Sequence, residues 1–204
     1  MLHMIFELTK SFGLAGWQRD VVASLIFVVC FLMIIPIIGS IVRKFAVFQI
    51  NCLSKLVGVR FAEFICNRLL FLGTVVHELS HALFAVLSGA QVLKVRCLTL
   101  FSKDTLGYVQ FATRGRPVKR SFQMAFIGCA PTIVGCLIVY ILISHWNQIV
   151  VSFPVQAFLV YFGISVADHM SMSSSDVQNY IKGCPLVFLL MFVLTMGFCK
   201  FCMV

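Results

Sequence analysis

Five apolar runs of near-spanning length dominate this chain, at 21–42, 69–88, 121–144, 151–167 and 183–199. A helix needs roughly twenty residues to cross the hydrocarbon core of a bilayer, with about seventeen as a lower limit. The fourth run sits at that limit. Composition points the same way: 61% of the residues are hydrophobic and 11% charged, and mean hydropathy is +1.03. A soluble domain is nearer half apolar and about a quarter charged. The expectation is a polytopic α-helical membrane protein, with residues 1–204 forming a single membrane-embedded domain of about five spans. Pro36 and Pro131 fall within or near the start of two runs, where membrane helices tolerate proline. The first twenty residues are mixed and carry Glu7, Lys10, Arg19 and Asp20. That is not a signal-peptide pattern, so the first apolar run is expected to stay as an anchor.

Two connections carry most of the charge. Segment 43–68 mixes apolar residues with Arg43, Lys44, Lys55, Arg60, Glu63 and Arg68. A charge at mid-bilayer costs about 3 kcal/mol or more, so this segment reads as an amphipathic helix lying in the interface rather than as a sixth span. Segment 89–120 is the longest polar connection. "QVLKVRCLTL" and "GYVQFAT" are rich in β-branched and aromatic residues, with "SKDTLG" between them as turn chemistry. A small β-hairpin between the second and third spans follows. Lys94, Arg96, Lys103, Arg114, Arg116, Lys119 and Arg120 stand there against Asp104 alone, which places the connection in the cytoplasm by the positive-inside rule. Segment 43–68, also basic, then falls on the opposite side.

The net charge of +9 belongs with topology and anionic lipid head groups in so greasy a chain. No nucleic-acid partner is expected. Nine cysteines are scattered, mostly in apolar runs, where a thiol acts as a small hydrophobe. Cys199 and Cys202 have CxxC spacing, but no second pair completes a four-sulfur site.

Within the five runs, the only Asp, Glu, Lys or Arg is Glu78, in "TVVHELSHALF". Ionisable groups inside spans are costly and read as functional. Here Glu78 stands between His77 and His81 in an H-E-x-x-H pattern. Residues i and i+4 share one helical face, so two imidazoles can hold one metal ion. The glutamate projects about 100° around the helix from the first histidine, beside the metal, where it can take a proton from water. Hydrolytic zinc needs three protein ligands and one open position. The pattern supplies two ligands and the general base. The third must come from elsewhere, and "ADHMSMSSSDVQNYIKG" offers Asp168, His169 and Asp176. Spacing alone does not choose among them.

"GTVVHELSHALFAVLSGAQV" resembles the metal helix of the site-2-protease-like intramembrane zinc metalloproteases, especially their small minimal branch. In that branch a glycine and a short β segment follow the helix, as Gly89 and 107–111 do here. A "G-x-x-P-x-x-x-G" helix follows, matched by "GCAPTIVG" at 128–135. A Ser-Asp dipeptide then leads into the last helices, matched by Ser175 and Asp176. The resemblance covers roughly 69–185. It implies that Asp176 is the third zinc ligand, ahead of Asp168 and His169. The N-x-x-P-x-x-D-G motif of better-known members does not occur here. Asn179 and 173–175 are candidate polar helpers, and they also read as a helix start with Ser175 as N-cap and Asp176 in the first turn.

The implied activity is hydrolysis of peptide bonds within or beside the membrane. His77, His81 and Asp176 would hold Zn2+, and Glu78 would activate the water and later protonate the leaving amine. The implied partners are a membrane protein or peptide substrate and the bilayer. The 92–111 hairpin could pair with an extended substrate strand or simply cap the site. Water must reach the buried site, and Lys94, Arg96 and Arg114 could line the mouth of a polar inlet, though they read first as lipid-facing anchors. Gly73 and Thr74 read as a close-packing point for another helix. The competing readings are a zinc hydrolase acting on a lipidated peptide or small amide, and a non-enzymatic metal-binding membrane protein.

Overall fold

The computed structural model describes residues 1–14, 16–97, 106–149 and 152–202. Its helices are α1 (Leu2–Ser11), α2 (Gly16–Val57), α3 (Val59–Phe64), α4 (Phe71–Ser88), α5 (Pro117–Ser144), α6 (Trp146–Ile149), α7 (Phe153–His169) and α8 (Ser174–Cys202). A π-helical turn, Ile65–Leu69, leads from α3 into α4, and strands β1 (Gln91–Arg96) and β2 (Tyr108–Ala112) lie between α4 and α5. Among the described residues, four helices are long and apolar enough to cross a membrane: Gly16–Val57, Phe71–Ser88, Pro117–Ser144 and Ser174–Phe201.

The first correction concerns segment 43–68. No break occurs at Arg43. The helix that starts at Gly16 runs on to Val57, about 63 Å of helix against a hydrocarbon core of about 30 Å. Nothing between 43 and 57 stops a helix. Gly58 does, because its φ of +84° is a conformation only glycine adopts cheaply. Residues 59–69 form the short helix α3 and the π-helical turn that lead into α4.

The second difference concerns the last two apolar runs, read as successive crossings. The Tyr161 hydroxyl donates to Leu69 O at 2.6 Å, Gly73 N–H donates to Ser165 Oγ at 2.7 Å, and His77 Nδ1 meets His169 O at 2.8 Å. This steady register means α7 runs parallel to α4. Helix α5 runs antiparallel to α4, with Gln123 on Ser88 and Ile127 on His81. Helix α8 also runs antiparallel to α5: a methyl on Gly128 would meet Asp176 O at 2.7 Å, and Gly183 abuts Ser121 and Ala125. Helices α7 and α8 therefore run in the same sense. The break between them lies beside the middle of α5, where Thr132 Oγ1 donates to Met170 O at 2.9 Å. Apolar runs reveal helices but not their sense. The five-span count thus does not follow from the fold, and α7 at 17 residues is not among the four long apolar helices.

The strands are antiparallel, with Gln91 opposite Ala112, Arg96 opposite Tyr108, and an irregularity between Val92 and Lys94. Of the expected "SKDTLG" turn, residues 102–105 lie outside the described residues. Val92 and Phe111 pack on a buried cluster of Phe84, Ala85, Ile127 and Ala130. The sheet is thereby fixed over the α4–α5 pair.

Candidate metal centre

Helix α4 puts His77 and His81 on the side facing α5, α7 and α8. His77 Nδ1 lies 2.8 Å from His169 O, and His81 Nδ1 lies 2.9 Å from Ile127 O. A carbonyl oxygen can only accept, so each Nδ1 carries the proton and donates. In the neutral rings each Nε2 then carries a lone pair, and the two face each other at 3.2 Å. The Asp176 carboxylate closes the set, Oδ1 at 3.1 Å from His81 Nε2 and Oδ2 at 3.4 Å from His77 Nε2. One ligand atom from each residue lies within 4.8 Å of the others. Three acceptors converging in a buried place repel one another unless a cation stands between them. Ring nitrogens anchored by carbonyls on the far side are also the usual support of metal-ligating histidines. The donor set therefore fits a metal ion.

Asp176 is held from its own helix. Ser173 N–H donates to Asp176 Oδ2 at 2.8 Å, Asp176 N–H donates to Ser173 Oγ at 3.2 Å, and Val177 N–H closes the first helical bond on Ser173 O. This is a reciprocal capping box. It corrects the sequence reading at one point: Ser173, not Ser175, is the N-cap, because α8 begins at Ser174. Asp176 stands in the first turn as expected, where a carboxylate favours the helix dipole.

Asp168 and His169 lie close by but outside the converging group. The His169 backbone carbonyl takes His77, while its Nδ1 lies 3.0 Å from Ser165 O. Asp168 Oδ1 is a buried atom without a hydrogen-bond partner among the described residues. Asn179 is half-buried one turn beyond Asp176, and Ser173 and Ser175 share a 2.9 Å hydrogen bond. Lys94, Arg96 and Arg114 are exposed; Lys94 lies over the Tyr108 ring, and the Arg114 guanidinium donates to Gln91. Gly73 is indeed a packing point, since a methyl there would meet His169 Nδ1 at 2.7 Å.

Glu78 is 8% exposed and lies beneath the sheet. A methyl on Gly107 would come within 2.7 Å of Glu78 Cγ and 2.9 Å of Arg96 O. The chain ends that enter β2 and leave β1 thus roof the glutamate. Cys97, just past β1, has its thiol pKa raised by burial first and by the Glu78 carboxylate second. The sequence reading passed over Ser165 and Ile127, took Gly107 only as the start of a β segment, and took Ser173 only as one of three polar helpers. Only Ser173 carried a local signal, S-x-x-D ahead of an apolar run.

Residues 50–196, well over half the chain and including every residue of this centre, match the family model described as Peptidase M50B-like. The chain belongs to that family. Its site-2-protease-like resemblance and the family match agree. No curated protein and no solved structure matches the chain. Membership of a peptidase family, with four apolar helices of spanning length, makes this an integral membrane protein of the Peptidase M50B-like kind.

Proposed function

We propose that this Peptidase M50B-like protein is an intramembrane zinc metalloprotease, one membrane-embedded domain that hydrolyses peptide bonds of membrane-embedded or membrane-adjacent substrates. The observation that carries this reading is the convergence of His77 Nε2, His81 Nε2 and the Asp176 carboxylate beside a glutamate on the same helix. His77, His81 and Asp176 would hold zinc, a three-ligand set of the kind hydrolytic zinc uses. Bound there, zinc supplies Lewis acidity, bringing the pKa of a water toward neutrality and polarising the carbonyl under attack.

The chain's own groups do the rest. Glu78 takes the proton of the attacking water and passes it to the leaving amine. The roof of Gly107 and Arg96 limits how far its side chain swings. The His169 and Ile127 carbonyls keep the imidazoles in the tautomer whose Nε2 can bind metal. A substrate helix hides its own amides, so it must unwind before attack, and the β1–β2 sheet offers an edge on which an extended segment can pair. Helices α7 and α8 run in one sense, with a short non-helical break between them. Non-helical backbone at membrane depth is tolerated where protein buries it, and the 170–173 break is held by Thr132 and by the metal centre. The basic 89–120 connection faces the cytoplasm.

The test is a panel of single-span membrane peptides offered to the purified protein, with products read by mass spectrometry, for wild type and Glu78→Gln. The reading expects wild type to cleave at internal amides. It expects Glu78→Gln to keep its zinc and lose cleavage. Equal cleavage by both would overturn the role of Glu78. Zinc retained with no cleavage of any peptide would favour a different substrate class.

A further inference from the structure

Pro131 lies inside α5, four residues after Ile127. In an unbroken helix the N–H of residue 131 would bond the carbonyl of residue 127. Proline has no N–H, and its ring pushes that carbonyl away from the helix axis. Ile127 is 0% exposed, so water cannot replace the lost partner, and a buried unpaired carbonyl is costly. The group that fills the vacancy is His81 Nδ1–H, at 2.9 Å. His81 is itself only 6% exposed.

We propose that Pro131 is a positioning residue for the metal centre: it reserves the Ile127 carbonyl for His81, and so fixes the tautomer that turns the His81 Nε2 lone pair toward His77 and Asp176. The inference rests on the metal reading of the site. The other imidazole is anchored by a different route to the same end. His77 donates to His169 O, a carbonyl left free because α7 stops at His169. One ring is oriented by an internal proline and the other by a helix end. The same turn of α5 also admits the third ligand, since Gly128 leaves room for the Asp176 backbone. Pro36 provides an internal comparison. It lies inside α2, and the carbonyl it frees, that of Leu32, is taken by the Tyr180 hydroxyl rather than by a ligand residue.

The experiment uses the full chain in detergent, as wild type, Pro131→Ala and Pro36→Ala. Zinc affinity is read by competition with a chromogenic chelator, and helicity by circular dichroism. The His81 tautomer is read from 15N chemical shifts of the histidine-labelled, metal-stripped protein in alkaline buffer, with His81→Gln for assignment. Wild type should show the proton on Nδ1 of His81. Pro131→Ala should gain the Nε2–H form and bind zinc about 10–100-fold more weakly, the usual loss when the support of a ligand is removed. Pro36→Ala should match wild type in both. A wild-type His81 protonated on Nε2 overturns the proposal, even if Pro131→Ala fails to fold. So does a helical Pro131→Ala that binds zinc like wild type. A wild type that binds no zinc overturns the proposed function itself, and wild-type zinc content alone tells that failure from the others.

Discussion

The Tyr180 hydroxyl of α8 donates to the Leu32 carbonyl of α2 at 2.6 Å, and Leu32 is the residue whose helical partner Pro36 removes. Tyr180 is 5% exposed, so the bond lies in a dry place. Tyr180→Phe leaves that carbonyl unpaired at a cost of about 1–3 kcal/mol. Thermal unfolding in detergent should start several degrees lower, while zinc content stays at the wild-type level. An unchanged unfolding temperature would mean that the Leu32 carbonyl finds another partner.

Ser173→Ala removes one arm of the capping box that orients Asp176. Losing an N-cap hydroxyl costs about 1 kcal/mol of stability. Because the cap also holds the proposed ligand Asp176, zinc affinity should fall by about tenfold or more. Ser175→Ala, at the neighbouring serine, should leave affinity within a factor of two or so, consistent with an exposed side chain outside the box. Chelator competition on both variants separates the roles. Equal loss in the two would remove Ser173 from its assigned place.

Gly107→Ala places a methyl against the Glu78 side chain. Either the strand lifts or the glutamate shifts, and a displacement of about 1 Å at a reacting group can cost on the order of 100-fold in rate. The expected outcome is cleavage reduced by that order with zinc retained, since the three ligand atoms are not touched. Loss of zinc instead would show that the sheet supports the ligands and not Glu78.

The Cys97 thiol titrates higher than a free thiol, through burial first and Glu78 second. The thiolate is the reactive form, so at neutral pH Cys97 should alkylate more slowly than the exposed Cys52, and its rate should climb at higher pH. Glu78→Gln removes a negative neighbour and should speed Cys97 only in part, because burial remains. Peptide mass spectrometry of iodoacetamide-treated protein across pH gives both rates. Cys97 reacting as fast as Cys52 at neutral pH would contradict its half-buried placement beside Glu78.

How much of this was legible depends on how local each signal is. His77, Glu78 and His81 declare themselves because one helix sets their spacing, and an apolar run makes them conspicuous. Asp176 is 95 residues from His81 in the chain, so its choice over Asp168 leaned on a resemblance. Only the packing of α8 on α5 brings its carboxylate to the imidazoles. The strands were readable from β-branched residues and their place between α4 and α5. The common sense of α7 and α8 was not, since hydropathy has no direction. Nor was the end of α2, where the charges of 43–57 suggested a new segment but only Gly58 could stop the helix. Pro131 shows the limit most clearly. Sequence alone says that Ile127 loses a donor, and only the fold says that His81 replaces it.

The central claim is that His77, His81 and Asp176 hold one zinc ion. The most direct measurement is bound metal by elemental analysis of purified wild type beside His77→Ala, Asp176→Ala and Asp168→Ala. The account predicts about one zinc per chain, lost in the first two variants and kept in Asp168→Ala. A well-folded wild type that takes up no metal when zinc is offered, or zinc lost on Asp168→Ala and kept on Asp176→Ala, would contradict it.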